Sequence, residues 1–176
     1  MLTLSWTRVV ARAGTDPARV RARLWQALLH KAEQPLDYVP AITRVRVMER
    51  YEDGFLREIH RGDRLFLQRV TPDEPTGTIT FRHLNTPDIA AIRNELRETP
   101  TGHFTLTLTL TLTDAHPTEV SYWKREFSET LDAVAATLRA DLSTPGRPPA
   151  TSDDFPPEQE SPSRRLVRDE ETFPND

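Results

Sequence analysis

Apolar and polar positions alternate with a period of two along most of this chain and switch to a period of three to four in two stretches. The clearest alternation is His103 to Thr113, His-Phe-Thr-Leu-Thr-Leu-Thr-Leu-Thr-Leu-Thr, which only a β-strand satisfies. Phe104, Leu106, Leu108, Leu110 and Leu112 must face an apolar layer, while the β-branched Thr row suits a solvated face. A first strand is predicted over 3–11, and Gly14-Thr15-Asp16-Pro17 follows, with Asp16 as N-cap and Pro17 at the first helical position. The helix after it places Val20, Leu24, Ala27, Leu28 and Lys31 on one face beside Trp25, and Pro35 ends it. Further strands are predicted over 42–51, 55–61, 64–71, 78–84 and 89–98. After His116-Pro117 the helical period returns, with Val120, Trp123, Phe127, Leu131, Val134, Leu138 and Leu142 on one stripe. That stripe is the apolar surface available to cover the Leu row, and whether the two meet in a dry core or enclose a cavity is the functional question.

Turn chemistry sets the expected registers. Glu52-Asp53-Gly54 reads as a three-residue hairpin loop, which pairs Tyr51 with Phe55, Glu49 with Arg57 and Val47 with Ile59. A two-residue Asp-Gly turn would scatter the apolar set instead. Gly62-Asp63 is a two-residue turn that sets Phe66, Gln68 and Val70 beside Ile59, Arg57 and Phe55. Ile79, Phe81 and His83 share one side of their strand. Pro100-Thr101-Gly102 closes a hairpin that pairs Leu96 with Leu106, Asn94 with Leu108 and Ile92 with Leu110.

These registers put Glu49, Arg57 and Gln68 in one row on the apolar side of the sheet, joined by Asn94 and by His83. Charged and amide groups among apolar neighbours cost several kcal/mol, roughly, unless they are partnered. One reading makes Glu49 and Arg57 a cross-strand ion pair, with Gln68 and Asn94 holding backbone or water. The other has Arg57, with Gln68 or Asn94, orienting a carbonyl, phenol or carboxylate of a mostly apolar ligand. Phe81, Leu108, Trp123 and Phe127 are then candidate apolar lining. His83 titrates in a range that suits proton transfer, and Lys31 complements the dipole at the end of its helix.

With 176 residues and 36% apolar content, the chain suits one domain, 1–142, plus an appendage. From Ser143 the composition turns to Pro, Ser, Arg and acidic residues, which predicts a disordered tail over 143–176. The tail holds four Arg and eight Asp or Glu, so it carries the whole net charge of −4. That balance offers no basic field for nucleic acid. Cysteine is absent, which removes thiol nucleophiles and thiolate metal sites and fits a reducing cytoplasm. No apolar run approaches membrane-spanning length and the first residues lack the pattern of a secretory signal, so a cytoplasmic protein is expected. The preference for Arg over Lys, with much Ala, Pro and Thr, suggests GC-rich bacterial coding. No nucleophile elbow, His-Glu-x-x-His, dinucleotide turn or phosphate loop occurs, so neither a metal nor another cofactor is expected.

The order strand, helix, six antiparallel strands, long helix resembles the helix-grip fold of the START-like superfamily, also called SRPBCC or birch-pollen-allergen-like. Leu24-Trp25 with Leu28, Lys31, Pro35 and Pro40, then Glu49-Arg50 with Gly54-Phe55-Leu56-Arg57-Glu58-Ile59, then Arg69-Val70-Thr71 with Asn94, resemble its AtaL-like branch. The resemblance covers roughly residues 1–142. It implies an α+β fold in which a curved seven-stranded antiparallel sheet wraps a long C-terminal helix, with a ligand cavity between them. Relatives in the superfamily bind lipids, hormones, flavonoids or polyketide intermediates, and some cyclise or dehydrate polyketides. The expectation is a monomer or weak dimer holding a small hydrophobic or aromatic ligand. Two alternatives stand beside it: a cyclase- or dehydratase-like enzyme using the same cavity, and a protein-interaction module.

Overall fold

A computed structural model describes residues 1–113 and 117–143. The predicted tail lies outside the described residues, apart from Ser143, which ends the last helix. The elements are β1 (Leu2–Arg12), α1 (Pro17–Glu33), β2 (Ile42–Tyr51), β3 (Gly54–Arg61), β4 (Arg64–Asp73), β5 (Thr78–His83), β6 (Ile89–Glu98), β7 (His103–Leu112) and α2 (Pro117–Ser143). All seven strands join one antiparallel sheet in the order β1-β7-β6-β5-β4-β3-β2. The chain meanders from β2 to β7 and β1 closes beside β7, leaving β1 and β2 as the edges. This is the expected helix-grip architecture, with α2 packed on β1, β7 and α1.

The Leu row decides which face is inside. Phe104, Leu106, Leu108, Leu110 and Leu112 are all buried, each contributing about 1.5–3 kcal/mol of transfer free energy. Opposite them lie Phe127, Leu131, Val134 and Leu138 of the α2 stripe, also buried. The Thr row faces outward, where Thr107 and Thr109 meet Thr7 and Ser5 of β1 through hydroxyl pairs at 2.8 and 3.0 Å. Polar contacts fasten helix to edge strand. Arg8 reaches Asp132 at 2.6 Å, and Arg139 donates to the Val9 carbonyl at 2.6 Å. Asp16 caps α1 as expected, its carboxylate accepting the Arg19 backbone N–H at 3.0 Å.

Two expected hairpins form in the expected register: Phe66, Gln68 and Val70 pair with Ile59, Arg57 and Phe55, and Asn94 pairs with Leu108. The β2–β3 hairpin differs. Tyr51 pairs with Gly54 across a two-residue Glu52-Asp53 turn, so Glu49 falls opposite Leu56 rather than Arg57. Met48 then bulges out of the ladder, and Val47 pairs with Arg57 and Val45 with Ile59. The bulge restores the inward phase for Val45 and Val47, while between bulge and turn the phase is reversed.

Candidate functional site

The reversed phase corrects the expected row. Glu49 is exposed on the outer face, where the Tyr51 hydroxyl donates to it at 2.7 Å. Tyr51, expected inside, is exposed as well and stacks under Arg69. Arg50 turns to the inner side instead, 5.8 Å from the Phe55 ring, and its fork grips Glu33 at the end of α1 at 2.7 and 3.3 Å. The predicted Glu49–Arg57 ion pair therefore does not exist. Val47, Arg57, Gln68 and His83 form the row that crosses β2, β3, β4 and β5.

Three members of that row are polar, buried and chained by hydrogen bonds. Arg57 donates through Nε and a terminal nitrogen to Gln68 Oε1 at 2.9 and 2.8 Å, and through the other terminal nitrogen to the Ala32 carbonyl. That carbonyl sits in the last turn of α1, where the exposed end of the helix dipole favours a cation. With Gln68 Oε1 committed to Arg57, its amide nitrogen donates to His83 Nε2 at 2.7 Å. His83 must then carry its proton on Nδ1, which faces the Thr86 hydroxyl at 3.3 Å. Burial, with the charges of Arg57 and Arg61 adding to it, holds the imidazole pKa down at about 4. His83 is thus a neutral relay at physiological pH, and Arg57 is a permanent cation because guanidinium resists deprotonation even where burial lowers its pKa.

Lys31 completes the group, in a buried place that a role at the helix end does not predict. Its side chain does not project from the end of α1 into solvent to serve the dipole; it is buried, its ammonium 5.3 Å from the Phe81 ring. Arg57 lies 4.7 Å from the same ring. Burial and then the neighbouring Arg57 charge lower the Lys31 pKa to about 7. The signal lay in the spacing, since Lys31 follows Leu24 and Leu28 on the buried stripe of α1.

These groups border a chamber of about 60 Å³ between sheet and α2. Its apolar wall includes Ile59, Phe66, Phe81, Ile92, Leu108 and Phe127. The volume falls short of the several hundred cubic ångströms expected for a ligand site of this type, roughly 300–1,000 Å³. It has room for a few waters or one small guest. Of the sequence candidates, the fold brings Arg57, Gln68, Phe81, His83, Asn94, Leu108 and Phe127 together around this space. Trp123 is buried one turn away and backs the wall, its ring 5.7 Å from that of Phe127. Asn94 Oδ1 is buried with no hydrogen-bond partner among the described residues, so it can accept from a donor inside the chamber. Phe66 and Ile89 line both the chamber and an outer hollow of about 210 Å³ beside Leu65 and Pro87, so those two side chains part the interior from the surface there. Among the described residues no three metal-ligating side chains converge, and no helix is long and apolar enough to cross a membrane.

The family described as acetylaranotin biosynthesis cluster protein L, AtaL, matches residues 4–142. No curated protein matches the sequence. Similar solved structures include the Zhui aromatase/cyclase from Streptomyces sp. R1128, at 17% identity over 80% of this chain and 95% of that one, with a TM-score of 0.59. The protein XoxI from Bacillus cereus is similar at 16% identity over 82% and 99% of the two chains, with a TM-score of 0.61. Ara h 8.0201 is similar at 14% identity over 79% and 99%, with a TM-score of 0.52. At these identities the likeness is one of fold.

Proposed function

Because the chain belongs to the AtaL family, we propose that it is a small-molecule binding protein whose guest, apolar or aromatic in its body, occupies the chamber between sheet and α2. The observation that carries this reading is the hydrogen-bonded chain Arg57–Gln68–His83 set into an otherwise apolar wall. Core residues that serve packing alone do not need a buried cation, and specificity groups in ligand pockets have this form: few, polar and convergent. The present volume of about 60 Å³ suits a guest of only a few heavy atoms, smaller than an aromatic ring. A larger one requires Phe66 and Ile89 to move aside, since they separate the chamber from the outer hollow. A bacterial cytoplasmic protein fits the composition, and a part in secondary metabolism fits the family's description as a biosynthesis-cluster protein.

A catalytic reading rests on a separate observation, the titratable amine of Lys31 beside the permanent cation of Arg57 at the chamber. Lys31, with a pKa of about 7, can exchange a proton near neutrality, and Arg57 can polarise a carbonyl. This is the chemistry a polyketide cyclisation or dehydration needs, and aromatase/cyclases are among the proteins of similar fold.

Leu108→Trp tests the binding reading by filling the chamber. Such overpacking costs about 1–3 kcal/mol, which a stable domain tolerates. Wild-type protein is expected to bind one equivalent of benzamide, a small neutral aromatic, by ligand-observed NMR, and the variant to bind at least tenfold more weakly while still unfolding cooperatively. Equal binding by both would place the guest elsewhere.

A further inference from the structure

The chamber is electrostatically one-sided. Lys31, Arg57 and Arg61 border it, and among the described residues no aspartate or glutamate does. Arg61 is answered by Glu126 of α2. Arg57 and Lys31 are not: the acceptors of Arg57 are an amide oxygen and a backbone carbonyl, and no hydrogen bond or ion pair of Lys31 occurs among the described residues. Arg57 spends one N–H of each nitrogen on those acceptors, so each terminal nitrogen keeps a second donor.

Both cations also flank one ring, Phe81. Its π face supplies a partial attraction to each, and the end of the α1 dipole supplies another. Neither cancels a full charge, and two like charges in low dielectric repel each other strongly. A buried cation without a counterion is costly, and a folded chain retains two of them together only where something else repays the cost.

We infer that the guest of this chamber is an organic anion, a small aromatic or aliphatic carboxylate whose charged end is held between Lys31 and Arg57. The inference rests on the binding reading above and adds the charge of the guest to it. The spare Arg57 donors and the Lys31 ammonium bind the two carboxylate oxygens, while the body of the guest lies along Ile92, Leu108 and Phe127. Asn94 then supplies a further polar contact, which favours guests that also carry a hydroxyl. The groups that face Lys31 across the chamber are Arg57 and Arg61 from β3 and His83 from β5, with no acid among them. An arriving carboxylate therefore favours the charged form of the amine, and binding near pH 8 draws a proton from solution.

Benzoate and benzamide, nearly equal in shape and differing in charge, test this by calorimetry on the full chain. Benzoate is expected to bind at least tenfold more tightly than benzamide. Close to one proton should be taken up per benzoate at about pH 8, read from titrations in buffers of different ionisation enthalpy. Lys31→Met should abolish the uptake and lower benzoate affinity at least tenfold, with little effect on benzamide. Arg57→Met should weaken benzoate as well, and if it fails to fold, Lys31→Met decides alone. Equal binding of the two probes overturns the anion inference and leaves the chamber reading standing. Binding of neither overturns both, and benzoate binding that survives Lys31→Met with its proton uptake intact places the carboxylate away from this pair.

Discussion

Lys31→Met is expected to raise the stability of the guest-free protein by about 2–4 kcal/mol at pH 7. The Lys31 pKa falls from 10.5 to about 7 on folding, chiefly through burial and secondly through Arg57. A lowered pKa on a base means that the unfolded chain holds a proton that the folded chain releases. Stability therefore rises with pH across the window from about 7 to 10.5, where that difference in bound protons exists. Below it the amine is charged in both states and the whole penalty persists; above it the amine is neutral in both and the penalty is gone. Methionine keeps the length and the contact with Phe81 without a charge to desolvate. Urea unfolding of both proteins at about pH 6, 8 and 10 checks this. The gap between variant and wild type should be widest at the acid end and close towards pH 10. A variant less stable than wild type throughout would mean that the amine has a partner and that the chamber is not an uncompensated cationic site. Groups that serve binding at the expense of folding are the usual place for such stabilising substitutions.

Gly54→Ala is expected to cost ~3–5 kcal/mol or to prevent folding. Gly54 has φ of +146°, outside the range of residues with a side chain, and a Cβ there would stand 2.0 Å from the Val70 carbonyl oxygen and 3.2 Å from Pro72 Cδ. The clash is with backbone, so no rotamer change relieves it. Gly62→Ala is the control. It also sits at positive φ, +58°, but a Cβ there meets nothing within 4 Å, so only the left-handed backbone penalty of about 1–2 kcal/mol applies. Gly54 opens the strand that presents Arg57. A hairpin displaced by the alanine moves the guanidinium from Gln68, and thermal unfolding followed by tryptophan fluorescence should show the loss beside a much smaller one in the Gly62 variant.

The same hairpin marks where the sequence stops being legible. Strand pairing at Gly62-Asp63 and around Gly102 follows from alternation and turn chemistry, because a one-residue slip there would expose a whole apolar row. Hence Arg57 beside Gln68 and Asn94 beside Leu108 are readable from residues alone. Between Val47 and Tyr51 the strand lacks that constraint: Met48, Glu49 and Arg50 tolerate either face, so a bulge at Met48 costs little and leaves no mark in the pattern. For that reason Glu49 lies on the face opposite to the one that turn chemistry alone predicts. Lys31 shows the opposite limit. Its helical spacing on the apolar stripe is plain, but whether a stripe lysine is buried or extends its amine to water depends on what the sheet brings opposite, here Arg57 and Phe81. Chamber volume is less legible still, since it is the small remainder left where α2 and the sheet are not in contact.

A native mass spectrum of the full chain, purified from the organism that encodes it, shows whether the chamber carries a guest. A population heavier than the bare polypeptide by the mass of one small organic acid is expected, released on denaturation and absent from Leu108→Trp prepared in the same way. Bare protein only, from cells in which the gene is active, or an adduct that persists in Leu108→Trp, would contradict a guest held between the sheet and α2.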